Sequence, residues 1–442
     1  MALAVLPASQ AQEASFKGLG HLPGGAFDSK GYSVSAEGSV VVGESSSSSG
    51  DEAFLWTEGG GMIGLGDLPG GAFASRADAV SADGGIVAGQ SASANGTEAF
   101  VWTDANGMVG IGDLPGGFFF SRATAMTADG VVVVGESNGD KGFEAFRWTK
   151  DDGMMGLGDL PGGFFYSQAY SISPDGRVIG GISQSENGPE AFRWTVEEGM
   201  VGLGDLPGGT YFSVVYSASA SGDVLAGWGQ SDDGIEAFRW TEESGMVGLG
   251  DLPGSFFHSV ALAVSSDGSA VVGYSEAEPQ GYRAFLWTEE GGMRSIQEML
   301  EDDYGLNLSG WKLSLAYEIS DDGTTIVGYG RNPSGQTEAW RATGLQLSVS
   351  TPSAPEPAPL ALTSHPNPAR TSARLSFTLP VPGSFTLDVY DALGRRITSV
   401  SREASAREAA IDLSTSVWPS GRYLVRLQAG EHSERHTFTV AR

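Results

Sequence analysis

The chain has 442 residues, too many for one compact hydrophobic core and enough for a large repeat domain plus a small one. It contains no cysteine, which excludes a disulfide framework, and no run of 18 apolar residues, which predicts that no helix spans a membrane. The formal net charge of −29 disfavours a nucleic-acid partner, because an acidic surface repels phosphate backbones.

The first segment, residues 1–11, is predicted to be a residual or truncated signal peptide. A short apolar stretch precedes Ser9-Gln10-Ala11, and small residues at this spacing are typical of a signal-peptidase site. No basic residue precedes the apolar stretch, so the pattern fits a leader whose beginning is missing.

After this segment, a short glycine-rich sequence, DLPGG or a close variant, returns at a constant spacing of 46 residues. Its leucines are Leu22, Leu68, Leu114, Leu160, Leu206 and Leu252. A period of this length is typical of repeat architectures. In one copy, four β-type runs at 121–127, 131–136, 144–149 and 154–160 are separated by Asp-Gly and Asn-Gly turn sequences. Each repeat is therefore predicted to be a four-stranded antiparallel meander, the size of one β-propeller blade.

The third run of each repeat carries a tryptophan, and counting these residues predicts seven blades. They are Trp56, Trp102, Trp148, Trp194, Trp240, Trp287 and Trp340, and we expect them to pack between blades. The seventh copy lacks a fourth strand, whereas residues 16–22 look like a fourth strand without a first. The N-terminal strand is therefore predicted to complete the last blade and close a ring over residues 16–344, which removes exposed sheet edges.

The repeat consensus, GLGDLPGG…SxDG…VVG…EAFxWT…GM, resembles the extracellular repeats of the HAF family, which are named for a His-Ala-Phe signature. In this chain glutamate stands in place of the histidine, and Tyr282-Arg283 replace the Glu-Ala pair in the sixth copy. The six glutamates are Glu52, Glu98, Glu144, Glu190, Glu236 and Glu338. The resemblance covers residues 16–344 and implies a secreted or cell-surface β-propeller with no assigned catalytic activity.

The end of the chain is predicted to hold a linker and a small second domain. Residues 345–363 are rich in Pro, Ala and Ser, which is typical of a semi-rigid linker. Residues 364–442 contain alternating runs at 374–379, 384–390, 423–428 and 436–440. These runs predict an antiparallel β-sandwich of Ig-like size.

The same region is similar to the type A C-terminal sorting domain of the type IX secretion system. The residues that carry the similarity, and the expected sorting signal, are Asn367, Pro368, Gly394, Gly421 and Tyr423. Arg422 departs from the family, which usually has Val, Ile or Thr there. The resemblance implies export from a Gram-negative bacterium by the type IX machinery, with later removal of the domain. An accessory Ig-like binding domain is the alternative, because sandwiches host many functions.

Catalytic chemistry has little support in the repeat region. Only His21 and His258 occur there, neither lies beside a nucleophile pattern, and no catalytic, metal or cofactor site is predicted. The aspartates Asp67, Asp113, Asp159, Asp205 and Asp251 recur once per repeat. Such regularity suits a structural role, because catalysis needs an acid and a base in different environments.

The candidate ligand-binding residues are aromatic side chains placed between the fourth strand of one blade and the first strand of the next. They are Phe27, Phe73, Phe119, Phe165, Tyr211 and Phe257, and further aromatics flank several of them. Two interpretations remain open at this point. The rings are either wedges packed between blades, or an aromatic rim that stacks on glycans or peptides.

The sequence therefore predicts an all-β protein with a seven-bladed β-propeller and an Ig-like sandwich. We expect a monomeric, non-enzymatic binding or structural module, secreted or held on the outer cell surface, with a glycan or protein ligand and no cofactor. The alternative is a carbohydrate-active hydrolase or lyase that uses carboxylates on one propeller face. Its natural place is the irregular insertion at 301–312, which carries Asp302, Asp303 and Trp311. Trp311 is also a candidate ligand-binding residue.

Overall fold

The structure is a computed structural model that describes residues 14–254, 256–277, 281–345, 361–378, 383–390, 395–404, 408–429 and 432–441. It divides into two compact units, residues 1–349 and 350–442. Nearly all elements are strands, with one α-helix among the described residues, which confirms the all-β class. The predicted signal peptide at 1–11 lies outside the described residues.

The first unit consists of seven sets of four antiparallel strands. In chain order the first three sets are β2 (Gly24–Val34), β3 (Val40–Ser47), β4 (Asp51–Thr57) and β5 (Gly61–Gly64); β6 (Gly70–Val80), β7 (Ile86–Ser93), β8 (Gly96–Thr103) and β9 (Gly107–Gly110); and β10 (Gly116–Met126), β11 (Val132–Gly139), β12 (Gly142–Thr149) and β13 (Gly153–Gly156). The next three are β14 (Gly162–Ile172), β15 (Ile179–Ser185), β16 (Pro189–Thr195) and β17 (Gly199–Gly202); β18 (Ser213–Ala218), β19 (Val224–Gln230), β20 (Ile235–Thr241) and β21 (Gly245–Gly248); and β22 (Ser259–Val264), β23 (Ala270–Glu276), β24 (Tyr282–Thr288) and β25 (Gly292–Ser295).

The last set joins the two ends of the unit. It contains β26 (Lys312–Ile319), β27 (Ile326–Arg331) and β28 (Thr337–Thr343), and its fourth strand is β1 (Ser15–Gly18), which pairs antiparallel with β28. The first strand of every set lies beside the first strand of the next, and β26 lies beside β2. Backbone hydrogen bonds also join the turns that follow the first strands, for example from Ala36 N to Ala82 O (3.1 Å) and from Asp322 N to Ala36 O (3.4 Å).

The strand limits differ from the sequence prediction at the glycine-rich segment. In the third set the fourth strand ends at Gly156 rather than near Leu160, and the next first strand begins at Gly162. The intervening backbone is held by side chains: Glu144 Oε1 accepts from Gly158 N at 2.8 Å, and Ser183 Oγ accepts from Leu160 N at 2.9 Å. Side-chain oxygens thus accept the hydrogen bonds that the backbone of a neighbouring strand would accept in a regular sheet. The alternation of residues in the sequence does not show where this substitution begins.

The glutamates of the EAF segments all have this structural role. In six sets one carboxylate oxygen accepts a hydrogen bond of 2.8–3.2 Å from the N–H of a glycine in the same glycine-rich segment. In the sixth set the register places Arg283 opposite Ser275, where Glu52 lies opposite Ser45 in the first, so Arg283 alone replaces the glutamate. The glutamates therefore fix the scaffold rather than forming a carboxylate site.

The tryptophan count needs a correction in the last set. Trp340 lies opposite Gly328, as Phe54 lies opposite Gly43, so Trp340 occupies the phenylalanine position. The position equivalent to Trp56 is taken by Ala342. The fully buried aromatics at the shared position are Phe54, Phe100, Phe146, Phe192, Phe238, Phe285 and Trp340. Of the seven tryptophans, only Trp56 and Trp340 are buried, and the other five pack at the edge of the cores.

The second unit consists of two sheets around one core. The three-stranded sheet contains β29 (Ala361–His365), β30 (Ser372–Thr378) and β33 (Glu408–Ser414); the four-stranded sheet contains β31 (Gly383–Tyr390), β32 (Arg396–Ala404), β34 (Gly421–Ala429) and β35 (His432–Val440). Buried side chains of both sheets, including Leu375, Leu387, Val425 and Phe438, form this core.

The predicted linker at 345–363 is too long at both ends. Leu345 is buried in the core of the first unit beside Trp340, and β29 already begins at Ala361. Composition alone does not predict these two limits. It does not show that an apolar residue after the last strand is buried, or that a strand begins next to proline-rich sequence. Residues 346–360 lie outside the described residues.

Candidate functional site

The predicted aromatic residues lie in three different settings. Phe27, Phe73, Phe119 and Phe165 belong to the first strands β2, β6, β10 and β14 rather than to loops, whereas Tyr211 and Phe257 precede β18 and β22. The prediction that these residues lie in loops is wrong for the first four. A paired glycine, such as Gly116 opposite Gly139, starts the first strand earlier, and a register shift follows it. Trp311 is separate from the six and packs edge-on against Phe16, with ring centroids 5.1 Å apart.

These seven rings are all partly exposed, neither buried in a core nor free in solvent. Flanking aromatics are much more accessible: Phe118 is 62%, Phe164 is 68% and Phe256 is 59% exposed. The ring of His21 packs against that of Phe27 in a tilted arrangement, with ring centroids 4.3 Å apart. We call the six periodic rings together with Phe118, Phe164 and Phe256 the aromatic rim.

The insertion at 301–312 packs on the core of the first unit: Leu308 is buried, and Tyr304, Leu306 and Trp311 pack against the same cluster. The preceding helix α1 (Ile296–Asp302) has Ser295 as its N-cap, whose hydroxyl accepts from Glu298 N, and it buries Ile296, Met299 and Leu300. Asp303 forms two hydrogen bonds with Arg294, at 2.8 and 3.2 Å, and they lower the pKa of this carboxyl. Asp302 is exposed. Asp303 is thus held as the surface partner of Arg294. Among the residues that the structure describes, no three histidine or acidic side chains are grouped as metal ligands.

The first strands of all seven sets surround a cavity of about 600 Å³, which the sequence analysis did not predict. One equivalent position on each first strand lines it: Tyr32, Asp78, Thr124, Tyr170, Tyr216, Leu262 and Tyr317. Further residues of the first and second strands also line it, among them Arg76, Arg122, Val260, Tyr274 and Tyr329. The lining is charged in the second and third sets and mostly aromatic and apolar in the fourth to seventh.

The first three sets supply the charged wall, which we define as Arg76, Asp78 and Arg122, which line the cavity, together with the neighbouring Lys30, Glu44 and Glu136. Its members pair with one another: Lys30 Nζ lies 2.7 Å from Glu44 Oε1, Arg76 Nη2 lies 2.7 Å from Asp78 Oδ1, and Arg122 Nη2 lies 3.1 Å from Glu136 Oε1. Burial raises the pKa of the Asp78 and Glu136 carboxyls against the opposing effect of the arginines. The Arg76 guanidinium is 4.0 Å from the centre of the Tyr32 ring.

The remaining sets supply the aromatic wall, which we define as Tyr170, Tyr216, Tyr274, Tyr317 and Tyr329. Tyr170 and Tyr216 meet edge to face at 4.9 Å, and Tyr317 stacks on Tyr329 at 5.8 Å. Tyr317 also meets Tyr32 at 4.9 Å, which joins the two walls. Burial raises the pKa of Tyr274 to about 12, so its hydroxyl stays protonated at neutral pH.

Glu318 also lines this cavity. Burial raises its pKa to about 8, and the nearby Asp321 charge adds to the increase. Its hydrogen-bond partner is the N–H of Ile319, at 3.2 Å. Glu318 is therefore mostly protonated at neutral pH and presents an O–H donor.

The sequence carries a signal for this cavity at a repeat position where the residue type changes from set to set. The first-strand position that lines the cavity is Tyr, Asp, Thr, Tyr, Tyr, Leu and Tyr in successive sets, whereas EAF and DLPGG hardly change. The unchanging positions identify the scaffold, and the variable position identifies the cavity lining.

The predicted sorting residues can be placed in part. Asn367 Oδ1 accepts from Thr439 N at 2.9 Å, and the buried Tyr423 donates its hydroxyl proton to Pro419 O at 2.8 Å. Gly421 begins β34 opposite Val440, and Pro368 is exposed. Gly394 lies outside the described residues. Asn367 thus joins the start of the second unit to its last strand, whereas Tyr423 holds the turn that precedes β34.

Comparison with known families identifies the C-terminal part. Residues 363–441 match the family model described as a secretion system C-terminal sorting domain. This match confirms the predicted sorting domain and indicates secretion by the type IX machinery and a location at the cell surface. Among the described residues, no helix is long and apolar enough to cross a membrane. No curated protein matches the chain.

Several solved structures are similar at low identity. TolB from Acinetobacter baumannii is 12% identical with a TM-score of 0.39, over 59% of this chain and 64% of that one. Dipeptidyl peptidase 4 from Porphyromonas gingivalis is 10% identical with a TM-score of 0.35, over 93% of this chain and 58% of that one. The chain thus spans less than two thirds of the length of either protein, and TM-scores this low carry no argument about fold or activity.

Proposed function

We propose that the protein is a non-enzymatic binding module that is secreted and acts at the outer surface of a Gram-negative bacterium. The observation that carries the proposal is the cavity of about 600 Å³, whose lining differs from set to set. Side chains that only fill a symmetric scaffold can be the same in every repeat. A ligand without that symmetry needs different groups on its different sides, and a largely formed pocket of this size is typical of small-molecule sites.

The scaffold of this module is proposed to be a seven-bladed β-propeller of the HAF-repeat type, closed by the N-terminal strand. The seven four-stranded sets, the cyclic order of their first strands and the pairing of β1 with β28 support it. The second unit is proposed to be an Ig-like sandwich that serves as the sorting signal through Asn367, Pro368, Gly394, Gly421 and Tyr423. We expect the secreted form to be a monomer.

The aromatic rim is proposed as a second binding surface, for larger glycan or protein ligands. The strong exposure of Phe118, Phe164 and Phe256 supports this role, because aromatic faces left in solvent commonly mark contact sites.

The test is a binding screen of the full chain by thermal shift, with oligosaccharides, amino acids and short peptides as probes. A ligand at one hundred times its dissociation constant stabilises the folded state by about 2.7 kcal/mol, which gives a measurable rise in Tm. Leu262→Trp places a larger side chain in the cavity, whereas Phe164→Ala changes only the rim. We expect the first variant to reduce the shift for small probes. Unchanged shifts in Leu262→Trp would contradict the proposed cavity site.

A carbohydrate-active enzyme is the second candidate, and Glu318 favours it. A protonated carboxyl in a cavity can act as a general acid, provided that a carboxylate partner assists. Hydrolase and lyase assays of the full chain, with Glu318→Gln as the matched variant, decide this point. Turnover that disappears in Glu318→Gln would replace the binding function with an enzymatic one.

A further inference from the structure

We infer that the ligand of the cavity is a neutral sugar of one or two rings, held with one face on the aromatic wall and its hydroxyls against the charged wall. This inference rests on the proposed binding function and adds the chemical class of the ligand. It follows from the juxtaposition of two walls of opposite character.

The basic groups of the charged wall are all paired with acidic groups. The three basic groups, Lys30, Arg76 and Arg122, are each within 3.1 Å of an acidic partner. A charged ligand would have to separate one of these pairs and leave the other member uncompensated in a partly buried place, which is strongly unfavourable. A neutral ligand can add hydrogen bonds and leave every pair intact.

The same wall has hydrogen-bonding capacity that the protein does not use. Arg76 Nε, Arg122 Nε and Asp78 Oδ2 are buried and have no hydrogen-bond partner among the described residues. A guanidinium offers five N–H donors in a fixed plane, and a carboxylate only accepts. The wall therefore offers both donors and an acceptor. A sugar hydroxyl both donates and accepts, so neighbouring hydroxyls match this combination better than a purely anionic or cationic group.

The aromatic wall matches the other side of a sugar ring. A pyranose has an apolar C–H face and a hydroxylated edge, and tyrosine combines an apolar ring with a polar tip. Tyr216 lines the cavity and is partly exposed. Tyr170 packs edge to face against it, with ring centroids 4.9 Å apart, and this contact orients the Tyr216 ring. The protonated Glu318 adds an O–H donor that a neutral acceptor oxygen can use.

The size of the cavity limits the ligand. Its volume of about 600 Å³ lies within the range of about 300–1,000 Å³ that holds compact small molecules. One or two sugar rings fit this space, whereas a polysaccharide chain does not. The inferred ligand is thus distinct from the larger ligands proposed for the aromatic rim.

The test is isothermal titration calorimetry of the full chain with two panels of probes. The neutral panel contains glucose, galactose, mannose, maltose, cellobiose and lactose; the charged panel contains galacturonic acid, glucosamine and a dipeptide. We expect binding of a neutral sugar that changes less than about twofold between low and high salt, because no ion pair forms. Tyr216→Ala should weaken binding about tenfold, Tyr216→Phe less, and Val196→Ala, a substitution at an exposed position outside both proposed sites, not at all.

The possible results separate the inference from the proposed function. Binding of charged probes alone, with a steep loss at high salt and loss in Leu262→Trp, would overturn the neutral-sugar inference and keep the cavity as a binding site. Absence of binding in both panels would overturn both. Neutral-sugar binding that survives Tyr216→Ala and disappears in Phe164→Ala would move the site to the rim and overturn the inference.

Discussion

Truncating Phe146 to alanine should destabilise the first unit far more than truncating Trp148, two residues further along the same strand. Phe146 is fully buried in a cluster with Ala123, Val133 and Leu114, whereas Trp148 packs at the edge of that cluster. Replacing a fully buried phenylalanine leaves a cavity that surrounding side chains only partly fill, which costs about 3–5 kcal/mol. A partly exposed ring loses less buried area, and we expect about half that cost for Trp148→Ala.

The assay is urea unfolding of the full chain, followed by far-UV circular dichroism so that loss of a tryptophan does not change the signal. The two variants should shift the midpoint of the first unit in the order Phe146→Ala, then Trp148→Ala, then wild type. A repeat array unfolds through nearest-neighbour interfaces, so the shift of the midpoint at equal slope is the quantity to compare. A larger loss for Trp148→Ala would refute the assignment of the phenylalanine as the core residue.

Further predictions concern the scaffold, the cavity and the sorting domain. Deleting residues 14–18 removes β1 and should lower Tm or cause aggregation, because the edge of β28 is exposed; an unchanged Tm contradicts the pairing. Glu98→Ala should cost about 1.5–3 kcal/mol by removing the acceptor for Gly112 N, and Glu98→Gln less. Because burial raises the pKa of Glu318 to about 8, the folded state keeps a proton that the unfolded chain releases near pH 4.5. The stability should therefore fall as the pH rises from about 5 to about 8. Glu318→Gln should abolish this slope in Tm against pH. Tyr423→Ala should reduce secretion, measured by immunoblot of culture medium, with Tyr423→Phe as the milder variant.

Much of the scaffold was predictable from the sequence, because repetition reports residues with the same role in every set. The 46-residue period predicts the four-stranded units, and the missing strand after Thr343 predicts that residues 16–22 complete the last set. The strand that pairs with β28 is residues 15–18, shorter than this prediction. The ordered motifs of the C-terminal region identified the sorting domain. The tryptophan alignment fails in the last set, because Trp340 stands at the phenylalanine position of the third strand and Ala342 at the tryptophan position.

The sequence by itself therefore determined the local structure: the turns, the strands and the packing positions that recur in each set. Each of these depends on a few neighbouring residues in the chain. The tertiary structure alone decided which side chains meet from different repeats. Arg76 and Tyr317 lie more than two hundred residues apart, yet both line one cavity, because the cyclic order of first strands places every set at the same centre. The repeat period reports the residues that the sets share. The cavity is lined by residues that differ between the sets, and only the tertiary structure shows that these residues lie side by side.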